Sequence, residues 1–163
     1  MTLYDEEFSA RRRLTLRGHA SAPGGTRTAQ PVHATHAVRS EQDLLSVRHA
    51  VRAATVEAGF ALVDQTRIVT AASELARNAY VHGGGGSLTI EVLGHGPRRG
   101  VRLTVRDQGP GIPDVDKALT DGWTTGSGLG HGLGGARRLM HEFTIDTAVD
   151  RGTTVTAIRW NDR

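Results

Sequence analysis

The sequence contains no cysteine. That absence excludes disulfides, thiolate zinc ligation and cysteine nucleophile chemistry. Aromatic residues are scarce, at 4% of the chain against 37% hydrophobic residues overall, so the core must be built from Ala, Val, Leu and Ile. Lys117 is the single lysine, and every other fixed cation is arginine. No stretch approaches the roughly 18 consecutive apolar residues that a membrane span needs. The N-terminus carries Asp5, Glu6 and Glu7 where a secretory signal would be apolar. A soluble, cytoplasmic protein is therefore expected, with no membrane partner. The formal charge is only +3, and the one basic cluster, Arg11, Arg12, Arg13 and Arg17, lies in the N-terminal tail. A nucleic-acid binder shows a denser basic face, so this cluster is expected to be solvated and nucleic acid is not an expected partner. The eight histidines show no HExxH or similar ligand spacing, which argues against a zinc site.

What is present is one domain's worth of chain, 163 residues, with 21 glycines that are mostly clustered. Residues 1–31 are polar and broken by Ala22-Pro23-Gly24-Gly25, and read as a flexible extension with room for a short strand near Leu14–Leu16. Residues 32–163 read as the folded domain. A strand is expected over Val32–Arg39. Leu44, Leu45, Val47, Val51, Ala54 and Ala58 fall near helical spacing, which predicts a helix over Glu41–Ala58 ended by Gly59. A second helix is expected over Val63–His82, stopped by the tetraglycine Gly83–Gly86. Strands are expected over Ser87–Leu93 and Val101–Asp107, the second with a clear alternation of Val101, Leu103 and Val105 with polar residues. A short helix over Val115–Leu119 precedes a glycine-rich stretch, Gly122–Gly135, which runs into a helix near Gly134–Glu142. Strands over Phe143–Val149 and Thr153–Trp160 close the chain around a turn at Asp150-Arg151-Gly152. Strands thus come in adjacent pairs. The expected fold class is α/β, a two-layer sandwich of a mixed or antiparallel sheet with helices on one face.

Three groups of residues carry chemistry. Glu74 and Asn78 sit at i and i+4 late in the second helix and share a face. A carboxylate and a neutral amide oxygen suit a hard cation and a proton acceptor; an ordinary pair on a solvated helix face would look the same. Asp107-Gln108-Gly109-Pro110-Gly111-Ile112 ends a strand. A carboxylate there can accept from an exocyclic amine while glycine backbone passes close to a flat ring, although Asp, Gly and Pro also make simple turns. Gly126-Ser127-Gly128-Leu129-Gly130-His131-Gly132-Leu133-Gly134-Gly135 offers amides that can converge on an anion ahead of a helix N-terminus. No strand leads into this loop, so the dinucleotide reading of Gly130, Gly132 and Gly135 fails. No lysine follows the last glycine, so the Walker pattern fails too. A flexible linker is the plain alternative.

Together the three groups resemble, in order and spacing, the N, G1 and G2 boxes of the GHKL superfamily (HATPase_c domains), the Bergerat ATP-binding fold. Ala72–Asn78, Asp107–Asp114, Asp121–Thr125, Gly128–Leu133 and Arg138–Phe143 look like the RsbT-type serine/threonine switch kinases within it. The resemblance spans roughly Val32 to Trp160. It implies ATP and Mg²⁺ as ligands. It implies that Asn78 binds the Mg²⁺ and that Glu74 is the general base. Asp107 would hold the adenine amine, with Gly109, Gly111 and Ile112 shaping the base pocket. Gly126, Gly128, Leu129, Gly130, His131, Gly132 and Leu133 would lie on the phosphate side, and Thr153 near the base. It implies a STAS-domain protein as substrate, with a PP2C-type phosphatase or a sigma factor as further partners and a homodimer among the assemblies it allows. An RsbW-like anti-sigma factor, or a nucleotide-dependent switch without kinase activity, would use the same boxes. The stretch Ile112–Gly126 is short for a lid, which predicts a partly covered nucleotide. His82 and Lys117 lie close enough in sequence to the boxes to reach a ligand, and solvated or packing roles suit them equally. Trp123 is expected to pack or to meet a partner, and so is one of Arg137 and Arg138.

Overall fold

The computed structural model describes residues 12–17, 32–94, 96–120 and 132–162. Six strands form one sheet, β1 (Arg12–Arg17), β2 (Val32–Val38), β3 (Gly86–Leu93), β4 (Arg98–Asp107), β5 (Glu142–Thr147) and β6 (Thr153–Asp162). Their order across the sheet is β1-β5-β6-β4-β3-β2. Every neighbouring pair is antiparallel, so the sheet is antiparallel and not mixed. The helices are α1 (Glu41–Glu57), α2 (Leu62–Val81), α3 (Val115–Ala118) and α4 (Gly132–Leu139). α1 and α2 pack on β2, β3 and β4, and α2 also packs on α4. This is the expected two-layer α/β sandwich.

The boundary drawn at residue 31 needs correcting. Arg12–Arg17 pairs in full register with Thr147–Glu142 of β5, so the sheet starts well before Val32. The short strand allowed near Leu14–Leu16 is present and extends over Arg12–Arg17. Leu14 packs against the core. The basic cluster therefore belongs in part to an edge strand, where charge also discourages edge-to-edge pairing with other sheets.

The core is aliphatic, as the composition requires. Ile68, Leu75, Leu88, Ile90, Leu103 and Ile145 are fully buried between the layers, and Phe60 and Phe143 are the buried phenylalanines among the described residues. Strands β3, β4 and β5 alternate buried and part-exposed positions, so one face is covered by helices and the other stays polar. Across that open face the register aligns Thr144, Thr156, Thr104, Thr89 and Thr35 into one row running through five strands. The Thr35 and Thr89 hydroxyls are 3.0 Å apart. β-Branched residues with a hydroxyl suit a half-exposed pleated surface.

Helix ends are set by side chains. Ser40 caps α1 by accepting from the Asp43 N–H at 3.1 Å, and the Asp43 carboxylate reaches back to the Arg39 N–H at 2.8 Å. This is a reciprocal cap of the S-x-x-D kind. α2 starts without a side-chain cap. Instead Asp64 in its first turn accepts from Arg67 at 2.9 Å and from Arg159 of β6 at 2.7 Å. Arg159 also donates to the Leu139 carbonyl at 2.8 Å, so one guanidinium ties the start of α2 and the end of α4 to β6. Burial alone would raise the Asp64 carboxyl, but hydrogen bonds from Arg67 and Arg159 hold it below its ordinary value.

His141 lies between α4 and β5, and its Nδ1 accepts from the Trp160 N–H at 2.9 Å. That bond needs the neutral ring. Burial and the nearby Arg159 charge lower the His141 pKa, against the opposing pull of Asp162, Asp64 and Glu142. The unfolded histidine then takes up a proton before the folded one does, so stability is full above the unfolded value of about 6.5 and falls as pH drops below it. The melting temperature is expected to fall between pH 7.5 and pH 5.5. His141→Asn should flatten that fall, and an unchanged slope in the variant would show that another group carries it.

Candidate nucleotide site

The site is assembled where the C-terminal end of α2 meets the end of β4. Asn78, late in α2, accepts the N–H of His82 at 2.9 Å and of Gly83 at 3.2 Å through its backbone carbonyl, which leaves its side chain to the adjoining cavity. Gly83 then packs directly on Asp107 and Gly109. A side chain on Gly83 would overlap the Asp107 carboxyl, and one on Gly109 would lie 2.6 Å from the Gly83 Cα. Two backbones can meet this closely only without Cβ atoms. Gly111 has φ +75 and lies against the Ala148 carbonyl, so it too excludes a side chain.

A cavity of about 270 Å³ opens beside this junction. Its apolar walls are Leu75, Ala79, Val105, Ile112, Leu133 and Val155, and Asp107 is the one carboxylate among its described lining residues. Asn78, His82, Gly111 and Thr153 complete the lining that matters for recognition. The Asp107 Oδ1 accepts the Gly109 N–H at 3.0 Å, which fixes the carboxylate at the rim of the strand. Burial pushes the Asp107 carboxyl above its ordinary value, while the backbone amides of Gly109 and Thr153 pull the other way. A flat apolar slot with one oriented acceptor suits a heteroaromatic ring bearing an exocyclic amine.

Thr147, which belongs to none of the three sequence groups, braces this slot. Its hydroxyl oxygen accepts the Ile112 N–H at 3.0 Å and lies 3.1 Å from the Gly152 carbonyl and 2.9 Å from the Thr153 hydroxyl. A hydroxyl has one proton. Given to Gly152, it makes Thr153 the donor to Thr147 and leaves the Thr153 oxygen's lone pairs for the cavity. The contact between Thr147 and Ile112 spans 35 residues, and alternation in β5 marks Thr147 as inward-facing without saying what it holds.

The expected site residues divide cleanly. Asn78, Asp107, Gly111, Ile112, Leu133 and Thr153 line one cavity. Gly109 supports it from behind by packing on Gly83. Glu74 is half-buried, one helical turn before Asn78, and does not line the cavity. Gly132 is buried at the start of α4 with φ +51. Gly126, Gly128, Leu129, Gly130 and His131 lie outside the described residues, as does Trp123. His82 lines the cavity, whereas Lys117 sits in α3, where its N–H is capped by Asp114. The tetraglycine, which sequence alone explains only as a helix stop, has a second reason in Gly83.

Asn78 of α2 and Asp107 of β4 thus line one apolar cavity in a two-layer sandwich. The family described as histidine kinase-, DNA gyrase B-, and HSP90-like ATPase matches residues 63–162, and the chain belongs to that family. It is 44% identical over 123 residues to the serine/threonine-protein kinase RsbT of Bacillus subtilis (strain 168), covering 76% of this chain and 92% of that protein. It is 33% identical over 131 residues to the anti-sigma F factor of Geobacillus kaustophilus, covering 76% of this chain and 88% of that one. The fold matches the RsbU and RsbW domains of a Mycobacterium tuberculosis protein with a TM-score of 0.53 at 22% identity, over 91% of this chain and 32% of that one.

Two substitutions separate shape from chemistry. Asp107→Asn keeps the volume, removes a half-buried charge and loses a charge-assisted bond worth about 1.5–3 kcal/mol to a ligand amine. It should weaken adenine-nucleotide binding by roughly 10- to 100-fold. Because the folded carboxyl is raised, its ionised form costs stability at neutral pH, so the variant should melt no lower than the wild type. A lower melting temperature with unchanged binding would contradict both assignments. Thr147→Val strands the Ile112 N–H and leaves the Gly152 carbonyl only the Ala148 N–H at 3.4 Å, and should cost about 1–3 kcal/mol of stability, read by denaturant melts.

Proposed function

We propose that this chain is a cytoplasmic protein serine/threonine kinase that uses Mg-ATP to phosphorylate a hydroxyl on a STAS-domain partner. The observation that carries this reading is the cavity joining Asn78 to Asp107, set beside 44% identity to a named serine/threonine kinase along nearly all of that protein's length. Asp107 accepts the amine of the adenine ring, and the apolar walls enclose its faces. The Asn78 amide is a hard oxygen donor at the cavity edge, which fits Mg²⁺, a cation that takes few protein ligands and completes its shell with phosphate and water. Bound there, the metal would supply charge neutralisation to the phosphates.

Phosphoryl transfer requires positioning and electrostatics more than covalent help. The partner's hydroxyl oxygen forms the new P–O bond, the β–γ bridging bond breaks, and ADP leaves. The hydroxyl proton goes to Glu74, which stands one helical turn before Asn78 and outside the residues that line the base pocket. Gly132 and Leu133 open α4 beside the cavity, and the glycine run before them is assigned to the phosphates.

The 33% identity to an anti-sigma F factor favours a second reading, in which the same nucleotide site governs the sequestering of a sigma factor. The two are separated by transfer of label. With ATP labelled on the γ-phosphate and a panel of STAS-domain proteins, label should pass to serine or threonine of one member. Glu74→Ala should abolish transfer and keep nucleotide affinity. Asn78→Ala should abolish transfer and also lose the Mg²⁺ dependence of binding. Tight nucleotide binding without transfer to any member would favour the sequestering role.

A further inference from the structure

A second concavity, of about 590 Å³, lies on the other side of Gly83 and Asp107 from the base pocket. Its lining is polar, made of Arg39, the glycines 83–86, Ser87, Arg106, Gln108 and Asp107, whose carboxylate is engaged by the Gly109 N–H. Arg98, Arg102 and Arg106 share the open face of β4. Arg102 is held bidentately by Glu91 at 2.6 and 2.7 Å. Arg98 lies 3.7 Å from the Asp162 carboxylate and stacks over Trp160. Arg106 has no carboxylate partner among the described residues, and its cross-strand neighbours are Ser87 and Thr154. Arg39 likewise has no described acidic partner for its guanidinium, although its backbone N–H is held by Asp43. Both arginines are exposed. Between them runs the turn at Gly84 and Gly85, with φ of +72 and +99, whose backbone carries no side chain of its own.

We propose that this groove docks a carboxylate-rich segment of the protein substrate. Resting on the kinase reading above, it names the recognition element of the partner. Guanidinium forks pair with carboxylates bidentately, whereas the Gly83 and Gly85 N–H groups are already held by the Asn78 and Ala79 carbonyls, so the two arginines carry the recognition. Because Gly83 and Asp107 form a wall of both concavities, a segment seated here lies against the back of the base pocket. Docking and nucleotide binding are thereby placed in contact through one piece of backbone. Exposed ion pairs are individually weak, so the segment needs several acidic residues, and its affinity must fall with salt.

The test uses the full chain and a fluorescein-labelled octaglutamate peptide, with a serine–glycine peptide and a phosphoserine peptide of equal length as comparators. Octaglutamate should bind in low salt. Arg39→Glu with Arg106→Glu should weaken it at least about tenfold, while melting temperature and affinity for a fluorescent ATP analogue stay unchanged. Equal binding of octaglutamate by the double variant would overturn the proposal, as would binding of the phosphoserine peptide in preference to it. The kinase reading fails by a different sign. Arginine-dependent octaglutamate binding without label transfer to any STAS-domain protein would leave the groove standing and remove its assigned substrate.

Discussion

The site depends on a contact that contains no side chain on one partner. Gly83, at the end of α2, sits on Asp107 and Gly109, at the end of β4. This sets the distance between the helix that carries Glu74 and Asn78 and the strand that carries Asp107. Any Cβ at Gly83 would push the two apart, and the helix would carry Asn78 away from the cavity. The layers are already fixed elsewhere by aliphatic packing and by Arg159, which ties α2 and α4 to β6. The glycine contact therefore tunes an existing sandwich; it does not hold the sandwich together.

That division of labour explains why the cavity can be apolar and yet carry a half-buried carboxylate. Asp107 is kept at the strand end by the Gly109 amide, and burial raises its proton affinity. The cost is accepted at the one position where an amine would be recognised. Thr147 plays the matching role on the opposite wall by holding Ile112 and Thr153 through a single hydroxyl. Rigid walls with one or two oriented polar atoms give orientation without needing a mobile side chain.

Much of this is legible in the amino-acid sequence. Helical spacing places α1 and α2 within a residue or two, and alternation places β3 and β4. The order of the Glu74–Asn78, Asp107–Ile112 and glycine-rich groups points to one nucleotide site, and six of the expected residues do line a single cavity. What is not legible is long-range in origin. A short strand near Leu14–Leu16 is legible, but its pairing with β5 draws on a partner near the other end of the chain. Thr147 is inward-facing by alternation alone, but its acceptor role exists only once the Pro110–Ile112 turn folds over it. The tetraglycine looks like a helix stop, which it is, yet its first member answers to Asp107. The Ser40 and Asp43 cap follows the S-x-x-D pattern, a local signal that the stronger helical spacing after it overshadows.

The central claim is that the junction of Gly83, Asp107 and Gly109 forms the wall of the nucleotide base pocket. Amide chemical shifts of isotopically labelled protein, followed as ATP is added with and without Mg²⁺, address it most directly. Saturating shifts are expected at Gly83, Gly109, Gly111, Ile112 and Thr153, with those at Ala79 and His82, within one helical turn after Asn78, depending on the metal. Shifts confined to the groove of Arg39 and Arg106, or spread over the threonine row of the open face, would contradict it.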